Sequence, residues 1–293
     1  MQTASDVFDA YEAIRTLLPP MPPAGAGAGK DIGSLLDIAA EADAFVFDAF
    51  GVLNLGDSPI PGAAERVGQL RKMGKAVRIL SNAASYDRQA AFAKFARLGI
   101  PLAEDELVTS RDATRLAMDT RLWGVIAAPG DTLADLPGQC LRLGTDRADY
   151  DRAEGIVFLS SAGWTDARQQ TLIESLAAHP RPVLISNADL VAPRETGLTL
   201  EPGHFARSLP DGATRLFGKP FADVYDLTLA TLPGCAPGRI AMCGDTLHTD
   251  ILGAAAQGWR TVLVTADGLF SGQDTRPYEA RSGIIPDWRL ARI

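Results

Sequence analysis

Four short segments of the 293-residue chain hold side chains that could do chemistry together. Phe47-Asp48-Ala49-Phe50-Gly51 presents one carboxylate just before a glycine turn. Leu80-Ser81-Asn82 presents a hydroxyl followed by an amide, and Gly218-Lys219-Pro220 presents an ammonium. Gly244-Asp245-Thr246-Leu247-His248-Thr249-Asp250 presents two carboxylates five positions apart. A nucleophilic carboxylate, a hydroxyl, an ammonium and an acidic pair are the parts that phosphoryl transfer needs. Asp48 would attack phosphorus and form an aspartyl-phosphate. Asp245 and Asp250 would hold Mg²⁺, which prefers oxygen ligands and shares a phosphate oxygen. Ser81 and Lys219 would hold the equatorial oxygens as charge redistributes.

These segments are useful only if the fold brings them together, and each follows a stretch that reads as structure. Ala44–Asp48 (AFVFD) and Ala76–Leu80 (AVRIL) are continuous apolar runs, the pattern of strands covered on both faces of a parallel sheet. Gly155–Leu159, Pro182–Ile185, Arg239–Cys243 and Thr261–Val264 read the same way. Helical spacing lies between them at 62–73, 86–98, 166–178, 221–231 and 249–257. Strand and helix alternate, which predicts an α/β fold with a parallel sheet and a site at the carboxyl ends of its strands. The spacing of Val7, Tyr11, Ile14, Leu17 and Leu18 predicts a helix over 5–18 that packs on the main body. Pro19 and Pro20 stop it, and 19–29 (PPMPPAGAGAG) reads as a linker.

Composition bounds the alternatives. Hydrophobic residues are 46% and charged residues 22%, the values of a globular chain with a real core. A net charge of −8 makes the chain a poor electrostatic partner for nucleic acid or an anionic membrane. Cys140, Cys235 and Cys243 form no CxxC pair, so buried free thiols in a reducing compartment are expected rather than a disulfide framework. Neither a signal peptide nor a run of about 18–20 apolar residues is seen, so a cytoplasmic protein is expected.

The four segments, in this order, resemble the haloacid dehalogenase (HAD) superfamily over roughly residues 40–270. The 138 positions between Ser81 and Lys219 place an insertion between the second and third motifs. With Ser186-Asn187-Ala188-Asp189 inside it and GDTLHTDILGAAAQGW after it, the chain looks like subfamily IIA, which includes nitrophenyl-phosphatase and pyridoxal-phosphatase-like enzymes. The resemblance implies a Rossmann-like core of 1–106 and 207–293, with an inserted α/β cap of the C2 type over 107–206. It matches Asp48 to the nucleophile, the Phe50 backbone carbonyl to a metal ligand, and Ser81 and Lys219 to the phosphate-binding groups. It matches Asp245 to the acidic metal ligand and Asp250 to the acid that orients the metal shell or Lys219. Asn82, Asn187 and Arg194 are expected to face substrate, Arg194 either binding a second anionic group or forming a surface ion pair. The implied activity is Mg²⁺-dependent hydrolysis of a small phosphorylated metabolite. Caps of this subfamily often mediate dimers, which implies a homodimer through the cap.

One position departs from the phosphatase pattern. The family places an aspartate two residues after the nucleophile, where it protonates the leaving alkoxide and then deprotonates water; here that residue is Phe50. Such assistance is typically worth about 10²–10⁴ in rate. The chain therefore reads as a slow or specialised phosphatase favouring good leaving groups. Asp-Ala-Phe-Gly also looks like the 2-haloacid dehalogenase motif Asp-Ala-Tyr-Gly, whose halide needs no proton; a non-catalytic phospho-ligand-binding protein is the other alternative. The five lysines, at 30, 72, 75, 94 and 219, leave none in the insertion for a phosphonatase-type Schiff base. His248 has the chemistry to replace the missing acid, although a solvent-facing loop residue is the plainer expectation. His179 and His204 read as structural or surface residues, and Trp164 and Trp259 as core.

Overall fold

A computed structural model describes residues 3–22, 27–210 and 214–293. Of the expected linker, residues 23–26 lie outside the described residues. After them, the Gly27 and Gly29 amides donate to the Ile285 and Pro286 carbonyls, both at 2.9 Å, tying the segment to the residues that lead into the strand Trp288–Leu290.

Seven strands form the first sheet in the spatial order Lys30–Asp31, Trp288–Leu290, Arg260–Val264, Ile240–Gly244, Ala44–Phe47, Ala76–Ser81, Leu107–Thr109. All neighbours are parallel. Ala44–Phe47 is buried along its whole length, as its unbroken apolar run requires. From this central strand the chain first builds outward through Ala76–Ser81. It later returns to the other side with Ile240–Gly244. The order reverses between those two strands, and a crevice opens there at their carboxyl ends. Asp48 and Asp245 are the first residues past those ends.

A second sheet, also all parallel, runs Thr214–Leu216, Val183–Ile185, Gly155–Phe158, Leu122–Ile126, Gln139–Arg142. This is the expected α/β cap on a Rossmann-like core. The expected span of 107–206 is nevertheless displaced. Leu107–Thr109 pairs with Ala76–Ser81 in the first sheet, and Thr214–Leu216 pairs with Val183–Ile185 in the second. Both are three-residue edge strands, too short to display an apolar period in sequence. One apolar cluster runs through both units, joining Val46, Leu80 and Met242 to Trp123, Val157 and Leu184.

Two elements differ from the sequence expectation for visible reasons. The first helix ends at Ala13, followed by a tight turn over Arg15–Leu17. In that turn Leu17 is 65% exposed, while Leu18 beyond it is buried in the same cluster as the helix. The helix expected over 249–257 begins instead as a wide turn at Leu247–Ile251 and becomes regular only over Leu252–Ala256. There the Tyr225 hydroxyl donates to the Thr249 and Asp250 carbonyls, at 3.0 and 3.3 Å.

Candidate active site

Three carboxylates, from Asp48, Asp245 and Asp250, place oxygens within 4.8 Å of one another at the crevice. Lys219 lies among them, with Nζ 2.6 Å from Asp48 Oδ1 and 2.7 Å from Asp250 Oδ1. The lysine is almost wholly buried. Each group is held by local bonds. The Ala49 amide donates to Asp48 Oδ1 at 2.7 Å. Asp245 accepts from the Leu269 amide at 2.7 Å and from the Thr246 hydroxyl at 3.0 Å. Asp250 Oδ2 accepts from the Thr246 amide at 3.1 Å. Gly51, at φ +79°, lets the turn pass over Asp245; a Cβ there would fall 2.5 Å from Asp245 Oδ2.

Three carboxylates against one ammonium leave an excess of two negative charges. Burial, with repulsion from Asp250, raises the Asp48 pKa above the ordinary carboxylate range, although Lys219 pulls the other way. Burial, Asp250 and Asp48 likewise raise that of Asp245. Burial works against the charge on Lys219, yet Asp250 and Asp48 outweigh it and its pKa rises. An all-oxygen donor set short of two positive charges fits a hard divalent cation.

Ser81 and Asn82 follow the neighbouring strand and are both buried. The Lys219 amide donates to Asn82 Oδ1 at 2.6 Å, and Asn82 Nδ2 donates back to the Lys219 carbonyl at 3.0 Å. Asn82 thus fixes the lysine segment beside the serine. The same Nδ2 donates to Asp189 Oδ1 of the cap, at 2.8 Å.

A cavity of about 580 Å³ separates this floor from the cap. Asp48, Ser81, Asn82 and Asp245 line it from the core; Asn187, Asp189, Arg194 and Glu201 are among its lining residues from the cap. The cap lies closed on the core. Ser85 Oγ donates to Ser160 Oγ at 2.9 Å. Glu195, on the cap hairpin Val191–Arg194/Gly197–Leu200, accepts from the Asp57 and Ser58 amides at 3.0 and 3.2 Å. It also accepts from the Ser58 hydroxyl, at 3.1 Å.

Several expected roles change here. The Asn187 side chain works inside the cap: Nδ2 donates to Glu201 Oε2 at 3.1 Å and Oδ1 accepts from the Asp189 amide at 2.9 Å. Arg194 lines the cavity, as expected, and also forms an ion pair. It pairs with the buried Glu201 at 3.2 Å and stacks over the Phe50 ring, 4.5 Å from its centroid. Lys94 Nζ lies 4.4 Å from the same centroid, so Phe50 stands between two cations. His248 is buried rather than solvent-facing and is not among the residues lining the cavity. It stacks on Tyr11, meets Phe8 edge-on, and lies 2.6 Å from Glu12 Oε1, so the first helix sequesters it. Trp164 packs on Phe158 but also lines the cavity, whereas Trp259 packs on Tyr225 in the core. All three cysteines are free, and only Cys243 is fully buried.

The reach of Glu195, the cradle of Phe50 and the contact of the first helix with the cap at Leu190 were not visible in the motifs. Each depends on residues far apart in sequence. Among the described residues, no helix is long and apolar enough to cross a membrane.

Comparison with known proteins gives a consistent picture. A haloacid dehalogenase-like hydrolase family profile matches residues 45–132, and a HAD-hydrolase-like profile matches residues 216–288. Chronophin of Rattus norvegicus is 29% identical over 279 residues, covering 89% of this chain and 88% of the relative. A HAD-superfamily structure from Cytophaga hutchinsonii superposes with a TM-score of 0.79 at 23% identity, covering 90% of this chain and 98% of the other. Glycerol phosphate phosphatase of Mycobacterium tuberculosis, solved with magnesium, superposes with a TM-score of 0.67 at 21% identity, covering 87% and 76%.

Proposed function

The chain belongs to subfamily IIA of the haloacid dehalogenase superfamily, a family of hydrolases, and from that premise we propose that it hydrolyses a small phosphorylated metabolite through an aspartyl-phosphate on Asp48. The observation that carries this reading is the meeting of Asp48, Lys219, Asp245 and Asp250 in one buried cluster, of which Asp48 and Asp245 line the floor of the cavity. Asp48 Oδ attacks phosphorus. Lys219 and the Ser81 hydroxyl hold the equatorial oxygens, and Asn82 keeps those two groups in register. The closed cap excludes water while the P–O bond breaks. Asp48, the Phe50 carbonyl, Asp245 and Asp250 would hold Mg²⁺. When bound, Mg²⁺ draws charge from a phosphate oxygen as a Lewis acid.

The cavity admits a compact phosphate ester rather than a macromolecule. Glycerol phosphate phosphatase, the structural neighbour named above, is in keeping with that size. A cytoplasmic setting fits three unpaired cysteines, and a homodimer through the cap completes the reading. The bare position 50 would suit halide release from a 2-haloacid, but an acidic cluster in excess of charge favours a metal-bound phosphate.

A screen of metabolite phosphates with Mg²⁺, run on the parent and on Asp48→Asn, tests the proposal. Turnover should be found for the parent and lost in the variant by at least about 10⁴-fold, the scale of removing a nucleophile. Equal turnover by both proteins, or metal-free release of halide from 2-haloacids alone, would overturn it.

A further inference from the structure

Phe50 removes the usual proton donor, and the closed cavity offers a different one. We infer that Asp189, on the roof of the cavity, is the general acid and base of this enzyme. The inference rests on the phosphatase reading above.

Position comes first. Asp48 attacks from the floor, so the leaving oxygen departs on the opposite side of phosphorus, toward the cap. Asp189 is a cap residue that lines the cavity. It follows the strand Val183–Ile185 at the carboxyl end of the cap sheet. Its Oδ1 accepts from Asn82 Nδ2 at 2.8 Å, and Asn82 also grips the Lys219 backbone. The carboxyl is therefore tethered to the phosphate-holding segment. The other oxygen, Oδ2, accepts no hydrogen bond among the described residues, and the residue is only partly buried, on its cavity side.

The other carboxylates of the cavity and the nearby histidine are occupied. Glu201 Oε1 accepts from Arg194 and Thr199, at 3.2 and 3.0 Å, and Oε2 accepts from Asn187 at 3.1 Å. Asp245 is bound to Leu269 and Thr246, and His248 is sealed under the first helix.

Environment agrees with position. Enclosure under the cap pushes the Asp189 carboxyl well above the ordinary aspartate range. Lys219 opposes that rise, while Asp48 and Asp250 add to it. Tyr11 and Tyr225, whose own phenols are held neutral by burial, are further titratable neighbours. A carboxyl whose pKa is raised holds its proton more readily and is suited to give it away during the reaction.

The steps balance. Asp48 Oδ forms a bond to phosphorus as the P–O bond to the alcohol breaks. The Asp189 proton moves to the departing oxygen, giving the free alcohol and an Asp189 carboxylate. Water then enters on the face the alcohol left. It gives a proton to Asp189 as it attacks phosphorus, releasing inorganic phosphate and restoring both side chains. One group in one place serves both half-reactions.

The test uses the full chain with Mg²⁺, p-nitrophenyl phosphate and glycerol phosphate. Nitrophenolate leaves without a proton, whereas the water step still needs a base. Asp189→Asn should therefore release about one nitrophenolate per chain in a fast burst, followed by steady turnover lowered about 10²–10⁴-fold. Glycerol phosphate should show no burst and a comparable loss. Equal first-turnover losses on both substrates, or steady rates within about threefold of the parent, would overturn the assignment. Should Asp189→Asn not fold, a series of aryl and alkyl phosphates on the parent decides. A shallow dependence of kcat/KM on leaving-group pKa supports a proton donor, and a steep one refutes it. A parent inert toward every phosphate would instead overturn the underlying phosphatase reading.

Discussion

Asp48, Asp245 and Asp250 crowd three carboxylates around one lysine, and that crowding has a cost in the metal-free protein. Burial raises the pKa of Asp48 and Asp245 in the folded chain, with mutual repulsion adding to it. In the unfolded chain both return to about 3.9. Over the interval between, the folded state binds more protons than the unfolded one, so stability falls as pH rises. The loss begins near the unfolded value and levels off above the raised ones. A divalent cation on these oxygens should remove the penalty and stabilise by mass action. Thermal melts in a chelating buffer should therefore show Tm decreasing from about pH 5 to pH 8, and millimolar Mg²⁺ should recover most of it. A metal-free Tm that climbs over that range would contradict the assigned cluster.

At the scale of elements, the cap hairpin is the part that closes the site. Glu195 at its tip accepts from two backbone amides and one hydroxyl of the core hairpin Asn54–Leu55/Ser58–Pro59, and Arg194 beside it stacks on Phe50. Glu195→Ala should weaken closure, raising KM about two- to tenfold with a smaller change in kcat. Steady-state kinetics at saturating Mg²⁺ reads this directly, and an unchanged KM would show that the contact does not govern closure. This latch was hidden in the sequence, because Glu195 and Asp57 are 138 positions apart. What was readable were the buried strands. Ala44–Phe47 and Ile240–Gly244 are unbroken apolar runs, and their ends carry Asp48 and Asp245. The helix Asp166–Ala178 also matched its sequence expectation at both ends. Elements whose pattern depends on a neighbour were missed. Leu122–Ile126 contains a glycine, Gln139–Arg142 is an exposed edge, and Leu107–Thr109 is only three residues long. The motifs marked the floor of the site and placed Asn187 and Arg194 facing it, while the partners that hold the roof required the packing of two sheets.

Across the whole molecule, the first helix, Ala4–Ala13, acts as a clasp rather than an appendage. Val7, Phe8 and Tyr11 are buried in one cluster with Leu247, Ile251 and Phe270 of the core and Leu190 of the cap. The Leu190 amide donates to the Tyr11 hydroxyl at 3.1 Å, one residue past Asp189. A second cluster already runs unbroken between the two sheets. Core, cap and helix therefore share apolar surface that none could keep buried alone, and they should unfold together. Phe8 is fully buried between His248 and Tyr278, with ring centroids 5.1 and 5.0 Å away. Phe8→Ala should cost about 3–5 kcal/mol, which for a chain of this size lowers Tm by on the order of 10 °C. Because the lost contacts belong to a shared cluster, calorimetry should still record one transition, shifted as a whole. A separate early transition, with the remainder melting at the parent temperature, would show the clasp to be energetically independent of the two units it joins.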